Sequence, residues 1–156
     1  VEPRTSPSLS FDDWVRSAGP GLQRALIARY GVDVGPDLHA EAVAYAWEHW
    51  DRLSTMTNPL GYLFRVGQSA ARRHPLIRAA PVFPPELGHE AHGPEPGLDT
   101  ALRSLPDDQR VAVVLVHGYG YSYTDAALIV DLPVSTLRNH IHRGMAQLRK
   151  LIGDTE

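Results

Sequence analysis

The sequence contains no cysteine and a single lysine among its 156 residues. The absence of cysteine excludes a disulfide scaffold, thiolate metal ligands and a cysteine nucleophile, and it is typical of proteins from a reducing compartment. No apolar run approaches the roughly 20 residues that span a bilayer, and the first residues lack the charged-then-apolar layout of a signal peptide. We therefore expect a cytoplasmic protein that does not insert into a membrane.

Motifs of catalysis are also missing. The sequence has no glycine-rich phosphate loop, no G-x-S-x-G elbow and no H-E-x-x-H pair. Asp107 and Asp108 form a tight carboxylate pair, and a helix start explains both, because carboxylates favour the positive end of the helix dipole. His140 and His142 are two residues apart, so on a helix their side chains diverge by about 200°. We expect neither an enzyme, nor a metal site, nor a cofactor.

The charge of the chain is small overall and uneven along its length. Fifteen basic and 18 acidic residues give a net charge of −3, which does not indicate a polyanionic partner for the molecule as a whole. Residues 134–152, however, contain three arginines, the single lysine and no acidic residue. This local excess of positive charge is typical of a surface that contacts nucleic acid.

A segment rich in proline and glycine divides the chain. Six prolines and three glycines lie between residues 75 and 97, which excludes long helices and central strands there. We interpret residues 75–97 as a linker between an N-terminal domain, residues 8–74, and a C-terminal domain, residues 98–153. Because a proline-rich tether restrains distance more than orientation, we expect each domain to close its own core and the pair to sample several arrangements.

Helical periodicity dominates the N-terminal segment, where apolar residues recur at spacings of three and four. Ser10 and Asp13 resemble a capping box at the start of a first helix. Pro20 predicts a restart or kink in that helix, since proline is tolerated at a helix start but not in its interior. Asn58 and Pro59 open a further helix with a cationic polar face.

The C-terminal segment also predicts helices. The apolar run 111–116 could be misread as a strand, but it follows a helix-start signal and has no second strand with which to pair. Ser122 and Asp125 form another capping pattern before a short apolar helix. We therefore predict an all-α fold, with two small helical domains joined by the proline-rich linker.

The last two predicted helices have the layout of a helix-turn-helix, because a short turn joins them and the second is basic and amphipathic. If Leu137, Ile141 and Leu148 point inward, a set of polar residues points outward along the part that enters a major groove. These are Ser135, Arg138, Asn139 and His142. Arginine can bind guanine bidentately and asparagine can bind adenine. The later cations are better placed for phosphates; they are Arg143, Arg149 and Lys150.

Two sets of motifs carry a family resemblance. The C-terminal set is Leu105-Pro106-x-x-Gln109-Arg110, Gly120-Tyr121-Ser122-Tyr123-x-x-Ala126 and Ser135-Thr136-Leu137-Arg138-x-x-Ile141-His142-Arg143-Gly144. The N-terminal set is Ala46-Trp47-Glu48-x-Trp50-Asp51, Asn58-Pro59-x-Gly61-Tyr62-Leu63-Phe64-Arg65-Val66 and Ala70-Ala71-Arg72-Arg73. In order and spacing they resemble regions 4 and 2 of bacterial sigma factors of the extracytoplasmic-function (ECF) group.

The resemblance implies a transcription initiation factor that binds core RNA polymerase and promoter DNA. It implies that the upstream promoter element is contacted by Ser135, Thr136, Arg138, Asn139, His142, Arg143, Arg149 and Lys150. It implies that the melted downstream element is contacted by Arg65, Gln68, Ser69, Arg72 and Arg73. It implies that polymerase is contacted by Glu41, Trp47, Glu48 and Asp51.

The chain departs from the family pattern in several places, including Ser69, where an asparagine is common, and His140, where a basic residue is frequent. Leu38-His39-Ala40-Glu41 stands where the family usually has an acidic Asp-Ala-Glu-Asp run, and only Glu41 is retained. Asp131-Leu132-Pro133 replaces a glycine-bearing turn, so Asp131 is expected to adopt a left-handed conformation. Two alternatives stay open: a stand-alone helix-turn-helix regulator that no longer engages polymerase, and a helical adaptor that mainly binds an anti-sigma factor.

Overall fold

The computed structural model describes residues 9–74, 82 and 97–153, and every regular element within those ranges is helical. The all-α prediction is confirmed. The rest of the predicted linker, residues 75–81 and 83–96, lies outside the described residues. No helix in the described ranges combines the length and the apolar character needed to cross a bilayer.

Four helices form the N-terminal region. They are α1 (Phe11–Tyr30), α2 (Gly35–Glu48), α3 (Trp50–Leu53) and α4 (Pro59–Ala71). The side-chain oxygen of Ser10 accepts the Asp13 N–H at 3.2 Å, and that of Asn58 accepts the Gly61 N–H at 3.2 Å. Both predicted helix starts are confirmed, because each oxygen satisfies a backbone donor that the first turn leaves unpaired.

The helix restart predicted at Pro20 is wrong, since α1 continues through that residue. Proline removes one backbone hydrogen bond from a helix interior. Here the residues on both sides of Pro20 are buried, Trp14 before it and Leu22 and Leu26 after it. Tertiary packing of this kind outweighs a local preference that a sequence window can register.

The C-terminal region contains α5 (Leu98–Ser104), α6 (Asp107–Val113), a π-helical turn (Val114–Gly118), α7 (Tyr123–Val130) and α8 (Val134–Gly153). The run from Val111 to Leu115 is buried and helical, which confirms that it is not a strand. Its second half takes the π-helical form, which the sequence pattern did not indicate.

The helix-turn-helix forms as its turn chemistry predicts. The hydroxyl of Ser122 accepts the Asp125 N–H at 3.0 Å and begins α7. Asp131 ends α7 with φ 56°, ψ 48°, and is the only non-glycine residue with positive φ in the described ranges. Leu137 and Ile141 are buried on the inner face of α8.

The expectation that each predicted domain closes its own core is wrong. Buried residues of both regions form one continuous hydrophobic cluster, and α1 and α4 pack on α6, the π-helical turn and α7. We call this contact the interdomain seam. Val82 of the linker is itself 2% exposed, and its N–H donates to the Asp99 carboxylate at 3.0 Å. The proline content of the linker does not indicate which helix faces are complementary. The interdomain seam therefore could not be predicted from composition.

Candidate nucleic-acid interface

The polar face of α8 lies opposite its buried stripe. The predicted upstream residues Ser135, Arg138, Asn139, His142, Arg143, Arg149 and Lys150 are exposed, and Thr136 is half-buried. The helix lies very close to α6, because a β-carbon built at Gly144 would stand 2.8 Å from the Cγ2 of Val113. This contact fixes the rotation of α8, so its cations share one side of the molecule.

Arg138 is partly ordered by an aromatic ring that the sequence analysis did not single out for this role. Its guanidinium carbon lies 5.7 Å from the ring centroid of Tyr123, at the first turn of α7. A cation over a ring face is held electrostatically. The motif that contains Tyr123 was visible in the sequence, but a contact between residues 123 and 138 depends on the angle between the two helices.

The cations on α4 and directly after its end are in a different state. Arg65, Ser69, Arg72 and Arg73 are exposed and Gln68 is half-buried. Arg65 Nε lies 2.7 Å from Asp131 Oδ2 in the helix-turn-helix, and Arg73 Nη2 lies 2.9 Å from Glu41 Oε2 on α2. Two predicted downstream contacts are therefore already engaged with carboxylates of the chain.

The predicted polymerase residues lie along the outer side of α2 and on α3. Glu41, Glu48 and Asp51 are exposed, and Trp47 is 67% exposed while its ring meets Phe11 edge-on at 5.1 Å between centroids. Trp14, by contrast, is buried. A large exposed apolar side chain flanked by carboxylates marks a surface suited to a protein partner.

A groove between α2 and α4 joins these two surfaces. Its charged and aromatic lining includes Glu41, Glu48, Arg65, Arg73, Tyr45 and Tyr62. The hydroxyls of Tyr45 and Tyr62 are 3.2 Å apart, and Arg52 donates to both. Their shared hydrogen bond raises the pKa of Tyr45 and lowers that of Tyr62. Sequence reasoning missed Tyr45 and Arg52, because only the fold brings them to Tyr62.

The groove and its surroundings do not form a metal centre. Within the described ranges, no group of three or more histidine or acidic side chains converges so as to hold a metal ion.

The interdomain seam contains a buried arginine. Arg110, 6% exposed, donates from Nε to the Ala28 carbonyl at 2.7 Å and from Nη2 to the Arg29 carbonyl at 2.8 Å. It also reaches the Leu105 carbonyl at 3.0 Å and the Asp107 carboxylate at 2.6 Å. Arg110 thus satisfies carbonyls that the last turn of α1 leaves without helical partners. Its motif was visible in the sequence, but nothing there indicated that it would be buried.

Comparison with known proteins locates the chain within a family. Residues 97–148 match the family model of sigma-70, region 4. The ECF RNA polymerase sigma factor EcfG of Rhodopseudomonas palustris is 29% identical over 154 residues, covering 92% of this chain and 85% of the relative. The ECF RNA polymerase sigma factor SigE of Mycolicibacterium smegmatis is 44% identical over 52 residues, or 33% of this chain and 20% of the relative.

Solved structures share the fold. The sigma factor RpoE, in complex with the anti-sigma factor NepR from Bartonella quintana, aligns with a TM-score of 0.66 at 23% identity over 92% of this chain and 96% of its own. CnrH, in complex with the cytosolic domain of CnrY, aligns with a TM-score of 0.60 at 22% identity over 94% and 89% of the two chains. With its exposed basic α8, its region 4 match and its near full-length relative, the chain belongs to the ECF group of bacterial sigma factors.

Proposed function

We propose that this chain binds core RNA polymerase and directs it to specific promoters as a transcription initiation factor. The observation that carries the proposal is the presence, on one chain, of an exposed basic recognition helix, a second cationic helix and an acidic surface with an exposed tryptophan. The work is binding and positioning, with no covalent chemistry. We place it in the cytoplasm, where core polymerase and promoter DNA are found.

The upstream element is read as duplex by α8. Arg138 and Asn139 lie on the exposed face of the first turns, where a recognition helix meets base edges. Ser135, Thr136 and His142 complete that part of the surface. Arg143, Arg149 and Lys150 bind phosphates, which fixes the register of the helix without reading sequence.

The downstream element is held as a melted strand by α4. Arg65 on α4, with Arg72 and Arg73 directly after its end, supplies positive charge, and Gln68 and Ser69 supply hydrogen-bonding groups between them. The paired rings of Tyr45 and Tyr62, backed by Arg52, line the adjoining groove. Unpaired bases stack on aromatic rings and their phosphates follow cationic grooves, so this surface suits single-stranded DNA.

Polymerase is bound by the surface of Glu41, Trp47, Glu48 and Asp51. Exposed aromatic residues are enriched where proteins meet. Since RpoE forms a complex with an anti-sigma factor, we infer that an anti-sigma factor also binds this chain. Residues 8–74 and 98–153 are retained as the proposed functional regions, and residues 75–97 as the linker between them.

In vitro transcription tests this function. The purified chain is mixed with core polymerase and a promoter library, and the 5′ ends of the transcripts are mapped. We expect initiation at a shared pair of upstream and downstream elements, lost when core polymerase is supplied alone. If core polymerase gives identical transcripts with and without the chain at micromolar concentration, the proposal is contradicted. The alternative of a stand-alone helix-turn-helix regulator then remains.

A further inference from the structure

We propose that the chain carries its own competitor for promoter DNA: the Asp131 carboxylate of the helix-turn-helix occupies Arg65 in a closed state that must open before α4 can hold the melted strand. The proposal rests on the DNA-binding role proposed for Arg65. It adds that the two DNA-facing surfaces of the chain restrain one another before any partner binds.

The geometry at the α4–α7 contact is tight. Arg65 Nε lies 2.7 Å from Asp131 Oδ2, and Asn58 Nδ2 donates to the Leu128 carbonyl at 2.9 Å. A β-carbon built at Gly61 would stand 2.7 Å from the Cβ of Asp131 and 3.0 Å from the Leu128 carbonyl oxygen. The helices thus meet almost backbone to backbone, and no nucleotide fits between them.

The chemistry of Asp131 matches what a promoter phosphate would offer. An arginine guanidinium binds carboxylates and phosphates through the same array of donors. Asp131 also takes a left-handed backbone conformation, which glycine adopts more readily. Aspartate at this position therefore has a mild conformational cost relative to glycine, but it places a carboxylate against Arg65.

One exposed ion pair would not hold two domains together, because such pairs contribute little to stability. Further contacts in the interdomain seam act with it. Arg110 is buried against the carbonyls that end α1, and Arg24 donates to the Tyr121 hydroxyl at 2.8 Å. Arg24 also lies over the Tyr119 ring, 4.8 Å from its centroid. The closed state is therefore supported along the whole seam, and Asp131 couples it to Arg65.

The closed state does not block the two DNA surfaces equally. The base-reading residues of α8 are exposed in it, whereas Arg65 is engaged. Upstream duplex can therefore bind the closed chain, but the melted strand needs the open one. The apparent affinity for that strand is reduced by the fraction of molecules that are open, so any change that opens the seam raises it.

Interdomain distances test the closed state without reference to DNA. Because the natural chain has no cysteine, Arg16→Cys and Gln147→Cys introduce the only two thiols for spin labels, both at exposed positions in different regions. Double electron–electron resonance on the full chain should give one narrow distribution. Asp131→Asn, which keeps a residue that tolerates left-handed backbone, should shift molecules toward longer distances.

Two further variants separate the seam from a simple change of charge. A β-carbon built at Gly21 of α1 would meet Ile129 at 3.1 Å and Tyr121 at 3.4 Å, both in the other region, so Gly21→Leu wedges the seam apart with no charge change. Its control is Gly19→Ala, whose added methyl meets Val15 and His39 of its own region at 3.6 and 3.8 Å. Asp33→Asn, at an exposed position in the turn between α1 and α2, controls for the lost negative charge. Opening by Gly21→Leu and Asp131→Asn, but by neither control, is the expected result.

Binding of a labelled promoter fork by the free chain, before polymerase is added, then tests the competition. Asp131→Asn should raise the affinity by about two- to fivefold, as loss of one exposed ion pair allows. The gain should vanish in an Arg65→Gln background, where Asp131 has no partner to release. Wild-type distances that are already broad, or distances unmoved by both seam variants, overturn the closed state. A gain that persists without Arg65 overturns the competition, whereas failure of the wild-type chain to support transcription defeats the proposed function instead.

Discussion

The surfaces of α8 and α4 are both cationic, yet they stand in opposite situations. Arg143 and Arg149 on α8 are exposed and form no ion pair within the described residues. Arg65 on α4 and Arg73, two residues after its end, are bound to the carboxylates of Asp131 at the end of α7 and of Glu41 on α2. Arginine side chains are thus free of ion pairs on the α8 surface and engaged in ion pairs on the α4 surface, within the described residues. Charge and exposure alone therefore do not determine whether a cationic surface is available to DNA. Carboxylates of the same chain that pair with its arginines also matter.

The strongest way to break this comparison is to remove the buried arginine of the seam. Arg110→Ala leaves the Ala28 and Arg29 carbonyls without their donor in a buried site, so we expect the free energy of unfolding to fall by about 3 kcal/mol. Urea denaturation measures the change. The matched control is Arg16→Ala, whose pair with Asp13 is exposed and whose loss should stay below about 0.5 kcal/mol. Equal losses would mean that Arg110 does not hold the seam.

On the open surface, Arg138→Ala should weaken upstream duplex binding by about 1 to 3 kcal/mol and relax base preference at one position, as loss of a bidentate base contact does. Arg149→Ala should weaken binding to all sequences alike, because a phosphate contact carries no sequence information. Fluorescence anisotropy with a set of single-base variants of the duplex distinguishes them. If both variants lose affinity uniformly, Arg138 contacts only phosphate.

The contribution of the Tyr123 ring sharpens the same surface. Tyr123→Leu removes the ring that lies 5.7 Å from the Arg138 guanidinium, and we expect duplex binding to weaken by about 0.5 to 1 kcal/mol. Tyr123→Phe retains the ring and should bind like the wild type. A double-mutant cycle with Arg138→Ala measures the coupling, and a coupling of zero contradicts the positioning role.

The smallest effect concerns pH and lies in the N-terminal region. Burial lowers the pKa of His39 below its usual 6.5. As the pH falls through 6.5, His39 is protonated in the unfolded chain before it is protonated in the folded chain. The free energy of unfolding therefore decreases from above pH 6.5 down to the folded-state pKa of His39. His39→Gln should flatten the slope of the denaturation midpoint between about pH 5 and 7. Equal slopes in the two proteins would contradict this.

Local features of the sequence were enough to predict much of the recognition helix. The spacing of Leu137, Ile141 and Leu148 predicted which side of α8 is buried, and the missing glycine predicted the left-handed Asp131. Both follow from interactions within a few residues. The exposed placement of the candidate base-contacting residues followed from the same periodicity, while their roles stay proposals.

What the sequence could not predict depends on residues far apart in the chain. Arg110 lies 82 positions from Ala28, and Arg65 lies 66 from Asp131. No periodicity indicates such partners, because they are fixed by the angles at which whole helices pack. The same limit explains why α1 continues through Pro20 and why the two predicted domains share a core. The local rule for proline is correct, but packing with residues far away in the sequence decides both outcomes.

The anchoring of Val82 sets how far the two regions can move apart. While Val82 stays buried and bound to Asp99, the covalent path from His74 to that anchor is eight residues, which reach at most about 27 Å when fully extended. Once Val82 is released, the path from His74 to Gly97 is 23 residues and its limit rises to about 78 Å. The maximum separation of the two regions therefore has two values. Which of them applies depends on whether Val82 is bound or released.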